Sequence, residues 1–118
     1  MSSENKELLE AVALIAGVKG KYQHWEDSND RVSCGIAPDG RPGREWWNPL
    51  KDDSEAFKLA VDFGIGASYL DREKRVVITM PHGFTYAVSN LREKYDKYAA
   101  TRRAIVKAVI NLSKMGKV

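Results

Sequence analysis

The sequence predicts an α+β domain, with a mainly antiparallel sheet and helices packed on its faces. Three observations lead there. Apolar residues recur at helical spacing in three separated stretches, near the start, the middle and the end of the chain. Between them lie short runs rich in β-branched and aromatic residues, each bounded by turn residues. The resulting order is helix, two strands, a short extended segment, helix, three strands, helix. Strands joined by such tight turns pair antiparallel.

The composition sets the frame. A chain of 118 residues, 43% hydrophobic and 30% charged, can close one core without metal or disulfide staples, so residues 1–118 are expected to form a single domain. Its single cysteine, Cys34, excludes an internal disulfide and fits a reducing cytoplasm. The longest apolar run, Ala11 to Ala16, is far too short to span a bilayer, and Met1-Ser2-Ser3-Glu4-Asn5 lacks the basic start of a signal peptide. A cytoplasmic protein without membrane contact is expected. The net charge of +3 permits anionic partners without demanding them.

The first helix is predicted over 4–16. Leu8, Val12 and Ile15 recur at i, i+4 and i+7, Leu9 and Ala16 widen the stripe, and Gly17 ends it. Lys21–Trp25 and Arg31–Ile36 suit a pleated sheet, and Asp27-Ser28-Asn29-Asp30 between them is turn chemistry, so the pair reads as a hairpin. The turn-rich segment Pro38–Gly43 then delivers the chain to Trp46 and Trp47. If 44–47 is extended, the two indoles face opposite ways, with Trp47 expected inside and Trp46 outside.

The chain is organised around Trp46–Ala56. Pro49 turns the backbone, Asp52 is placed to cap a helix, and Glu55 three positions on completes an acidic version of the capping box. That helix runs to Phe63 and stops at Gly64, a natural left-handed residue. Ala67–Leu70, Arg75–Met80 and Phe84–Val88 read as strands, joined at Asp71–Lys74 and at Pro81-His82-Gly83. Ser89–Asp96 is charged and weakly patterned, a loop or an irregular lead-in. The last helix covers 97–115, with Ile105, Val109 and Leu112 as its buried stripe, Ala104 and Ala108 beside them, and Gly116 as its stop.

Two blocks carry a family resemblance. Trp47-Asn48-Pro49-Leu50 with Asp52-Asp53 and Ala56, then Leu59-Ala60, form the first, and Ala100-Thr101-Arg102-Arg103-Ala104-Ile105-Val106 the second. Leu8, Leu9 and Ala16-Gly17 fit as well. In these residues the chain resembles the phage ABA-sandwich domain family. The resemblance implies a three-layer α/β/α sandwich and a phage or prophage setting, with the host-cell cytoplasm as location. That family is largely uncharacterised, so no catalytic residue is carried over.

Local motifs for chemistry are few. Asp52, Asp53 and Glu55 could be an acidic metal site, yet capping and the helix dipole account for carboxylates there, and the ligand set for a hard cation is incomplete. His24 and His82 have no metal-ligand spacing. Gly64-Ile65-Gly66 follows a helix and precedes a strand, the reverse of a dinucleotide fingerprint, and Gly40–Arg44 lacks the ending of a phosphate-binding loop. Neither a metal nor a cofactor is expected, and the chain reads as a non-enzymatic binding protein.

Two binding modes follow. Arg41, Arg44, Trp46 and Trp47 would line a pocket for a nucleotide-like ligand, because indole faces stack bases and guanidinium groups fork onto phosphate. Such a phage accessory protein would counter a host defence by sequestering the ligand. Alternatively, Arg102, Arg103 and Lys107, with Lys114 and Lys117, would form a basic helix face for nucleic acid or a host protein. A solvated helix with cations near its negative end is the plain reading of that face. Self-association is compatible with either mode.

Overall fold

The computed structural model describes residues 2–26, 32–38, 46–89 and 96–116. Its contacts gather in two compact units, Met1–Asn48 and Pro49–Val118. The α+β class and the antiparallel pairing are as expected. Among the described residues the strands form two sheets, one of two strands and one of three.

The first unit opens with α1, Ser2–Ala16. Leu9, Val12 and Ala13 are its buried residues, whereas Leu8, Ile15 and Ala16 are only half-buried. The buried stripe is therefore turned toward Leu9 from the expected Leu8–Val12–Ile15 line. Gly17 adopts φ +77° and lets the last turn close: its N–H bonds the Leu14 carbonyl and the Val18 N–H reaches back to Ala13. Strands β1, Gly20–Glu26, and β2, Val32–Pro38, pair antiparallel with Tyr22 opposite Ile36 and His24 opposite Cys34. The turn residues 27–31 between them lie outside the described residues. Of the 44–47 stretch, residues 44 and 45 lie outside the described residues; at Trp47 a bridge forms, in which Trp47 and Ile36 exchange both main-chain hydrogen bonds at 2.8 Å.

The second unit begins with a turn into α2, Asp53–Phe63. Asp52 caps it, one carboxylate oxygen accepting from the Ser54 and Glu55 N–H groups at 2.9 and 3.4 Å. Gly64 closes it at φ +69°, with the same pair of reaching-back bonds as at Gly17, here from Gly64 to Val61 and from Ile65 to Ala60. Strands β3, Gly66–Leu70, β4, Arg75–Thr79, and β5, Thr85–Ser89, follow as an antiparallel meander in that order.

The β4–β5 turn has a clear cause. Met80 N–H bonds the Phe84 carbonyl, Gly83 N–H bonds the Met80 carbonyl, and Gly83 sits at φ +95°, the bulged three-residue hairpin that Pro-His-Gly favours. Register places Ala67, Ile78 and Tyr86 in one cross-strand row and Tyr69, Val76 and Val88 in another. Both rows share a face, and α3, Lys97–Lys114, packs on it. The other face carries Ser68, Leu70, Thr79, Thr85 and Ala87, all exposed.

Helix α3 is the core of this unit. The expected stripe of Ile105, Val109 and Leu112 with Ala104 and Ala108 is buried, and Ala100 and Val106 join it. The added residues widen the apolar arc because α3 meets both the sheet and α2. Of the charged stretch before it, residues 90–95 lie outside the described residues, Ser89 ends β5, and Asp96 caps α3 by accepting from the Tyr98 and Ala99 N–H groups at 3.1 and 3.0 Å.

Candidate functional site

The residues expected to form a ligand pocket around the tryptophans are part of the first unit. Arg41 and Arg44 lie outside the described residues. Trp46 and Trp47 are both half-buried, so the division into one inner and one outer indole does not appear. Alternation itself holds, since the Cβ atoms of Trp46 and Asn48 lie on the same side over Gly35, but both faces of the segment are partly covered.

What the Trp46–Asn48 segment does is anchor. Gly35 has no side chain where it passes beneath; a Cβ there would stand 2.8 Å from the Trp47 carbonyl oxygen and 3.2 Å from the Cβ atoms of Trp46 and Asn48. Asn48 is 5% exposed, and its side-chain amide donates to the Cys34 carbonyl at 2.8 Å. Burial of a polar amide is tolerable on those terms. Tyr22, across from this segment on β1, has its pKa raised by burial first, then by the Cys34 thiol and by Glu10.

Arg102, Arg103 and Lys107 of the predicted basic face are on α3, and these three are half-buried. Arg102 is the best defined. Its Nε donates to the Leu50 carbonyl at 2.8 Å and its Nη1 lies 2.7 Å from Asp53 Oδ1, with the side chain only 17% exposed. It ties α3 to the turn before α2. Lys114 is exposed near the helix end, and Lys117 lies outside the described residues.

The acidic cluster at the start of α2 is resolved into separate tasks. Asp52 caps the helix, Asp53 pairs with Arg102, and Glu55 lies 3.5 Å from Lys58 one turn on. Among the described residues, no group of three or more His, Cys, Asp or Glu side chains is arranged to hold a metal ion. No helix among them is long and apolar enough to cross a membrane.

A site that the sequence reading did not single out lies wholly within the second unit. Helix α2, β3 and the first half of α3 border a groove of about 660 Å³. Its apolar floor includes Ala56, Ile65 and Ile105, all buried. Around it stand Phe57 and Val61 from α2 and Tyr98 from α3, which remain 67%, 62% and 62% exposed. Two ion pairs belong to the same lining, Asp53 with Arg102 and Asp71 with Lys97, the second at 3.7 Å. The Lys97 ammonium also lies 5.7 Å from the centre of the Tyr98 ring, within cation–π range.

The signal for this groove was present in α2. Ala56 and Leu59 face the core, and Phe57 and Val61, four residues apart, form a second apolar line outside that stripe. A helix with apolar residues beyond its core face has something further to cover. No family model, curated protein or solved structure matches this chain.

Proposed function

We propose that the protein acts by non-covalent binding and that the groove between α2, β3 and α3 is the surface it uses. One observation carries this reading: Phe57, Val61 and Tyr98 stand exposed around a single depression of about 660 Å³. Single exposed apolar residues are ordinary, whereas several gathered about one concavity mark a contact site. The volume is in the range of pockets that hold one small molecule, and a mainly apolar lining with a few polar groups is their usual chemistry. The phage-type setting implied by the WNPL and ATRRAIV blocks accords with this, as a small accessory protein that counters a host defence by capturing a ligand.

Native mass spectrometry of the protein purified from cells tests the reading. The wild-type chain should carry a small molecule that the Phe57→Ser/Tyr98→Ser double variant loses. Because both side chains are exposed, the fold should be little affected, within about 0.5 kcal/mol per site. An identical mass profile for the two folded proteins contradicts the proposal.

A further inference from the structure

We infer that the ligand of this groove is an uncharged, largely aromatic small molecule; the inference rests on the groove being the binding surface. Four charged side chains line the groove, two acids and two bases, and they are joined as Asp53–Arg102 and Asp71–Lys97. The lining is neutral as a whole.

Arg102 has no slack to offer an incoming anion. Its side chain is 17% exposed, and two of its nitrogens are committed to Leu50 and Asp53. Lys97 is held between the Asp71 carboxylate and the Tyr98 ring. A phosphate or carboxylate entering here would displace one carboxylate or sit beside it, and like charges so placed repel. An entering cation meets the same obstacle from Lys97 and Arg102. An uncharged molecule encounters neither.

The remaining lining states what such a molecule should offer. Phe57, Tyr69 and Tyr98 are three aromatic side chains about one cavity, and ring pairs prefer offset or edge-to-face contact. The small residues Ala56, Ala60 and Ala67 leave space against the helices and β3 for a flat body. Thr101 adds little polarity, because its hydroxyl already donates to the Lys97 carbonyl at 2.7 Å. Ser68 and the Tyr98 phenol are the hydroxyl groups left to orient one polar substituent.

Two fluorescent probes that differ by a single charge provide the test. N-phenyl-1-naphthylamine is uncharged, and 8-anilinonaphthalene-1-sulfonate is the same body with a sulfonate. The uncharged probe should bind saturably, one per chain, about tenfold more tightly than the sulfonate, with its Kd nearly constant from about 0.05 to 0.5 M salt. Phe57→Ser and Tyr98→Ser should each weaken it about fivefold or more, and Lys58→Gln, on the exposed side of α2 and outside the groove lining, should leave it unchanged. Tighter binding of the sulfonate, lost in Lys97→Gln, would overturn the ligand class and leave the groove standing. Binding of both probes that is indifferent to Phe57→Ser and Tyr98→Ser, or no saturable binding of either, would overturn the groove reading itself.

Discussion

The side-chain amide of Asn48 donates a hydrogen bond to the main-chain carbonyl of Cys34, 14 residues earlier, across 2.8 Å. The bond fastens the Trp46–Asn48 segment to β2, and Asn48 is 5% exposed, so water cannot replace it. Asn48→Ala should therefore cost about 1–3 kcal/mol, the usual penalty for leaving a buried acceptor unmet. Asn48→Asp should cost at least as much, since an ionised carboxylate has no donor to offer the carbonyl. Urea unfolding of the two variants beside the wild type measures both values. A change below about 0.5 kcal/mol in each would show that the bond is dispensable.

Gly35 completes the same anchor. An added methyl would meet the Trp47 carbonyl at 2.8 Å, and the residue's φ of +154° is itself unfavourable for a side chain. Gly35→Ala should break the Ile36–Trp47 bridge and destabilise by about 1–3 kcal/mol, a cost typical of overpacking. Amide hydrogen exchange provides the check. Trp47 N–H and Ile36 N–H, each bonded at 2.8 Å in the wild type, should lose protection together.

Asp52 and Asp96 hold the starts of α2 and α3 by the same device, a carboxylate oxygen accepting from two main-chain N–H groups. Asp52→Ala and Asp96→Ala should each lose about 1 kcal/mol, and Asp→Ser or Asp→Asn at either site should recover most of it. Thermal melts of the six variants test this. Asp52→Asn behaving as badly as Asp52→Ala would mean that the negative charge at the helix start, and not capping, carries the effect.

Stability at high pH follows from two half-buried phenols. Tyr86 has its pKa raised by burial, an effect partly offset by its hydrogen bond with Asn111, and Tyr22 is raised by burial and by Cys34. The fold thus favours the neutral phenol. Below about pH 10 neither residue makes stability pH-dependent; above it the unfolded chain ionises first and stability declines until the folded pKa is reached. Unfolding free energies measured between about pH 8 and pH 11 should fall more gently for Tyr22→Phe/Tyr86→Phe than for the wild type. An unchanged slope would remove these two residues as the cause.

Much of the fold was legible because it is written in local chemistry. A carboxylate before a helix, a glycine after it and an apolar period along it act within a few residues, so α2, α3 and their ends appear where Asp52, Gly64, Gly116 and the Ile105–Val109–Leu112 spacing place them. The partition into two sheets was not legible, since periodicity says that a segment is a strand but not which strand it joins. That Trp46 and Trp47 are both half-buried was not legible either, since alternation says which faces two neighbours take but not what covers each face. The groove was half-legible. Phe57 and Val61 show themselves as apolar residues off the core stripe, but only tertiary packing brings Tyr98 and Tyr69 beside them.

The binding account is tested most directly by mapping where small molecules contact the chain. A mixture of uncharged aromatic fragments, added to uniformly labelled protein, would be followed through the backbone amide shifts of every assigned residue. The account predicts saturable shifts that cluster on 56–61, 67–71 and 97–105, the three segments that border the groove, and that vanish in the Phe57→Ser/Tyr98→Ser variant. Shifts that gather instead around Trp46 and Trp47, or that scatter without saturating, would contradict it.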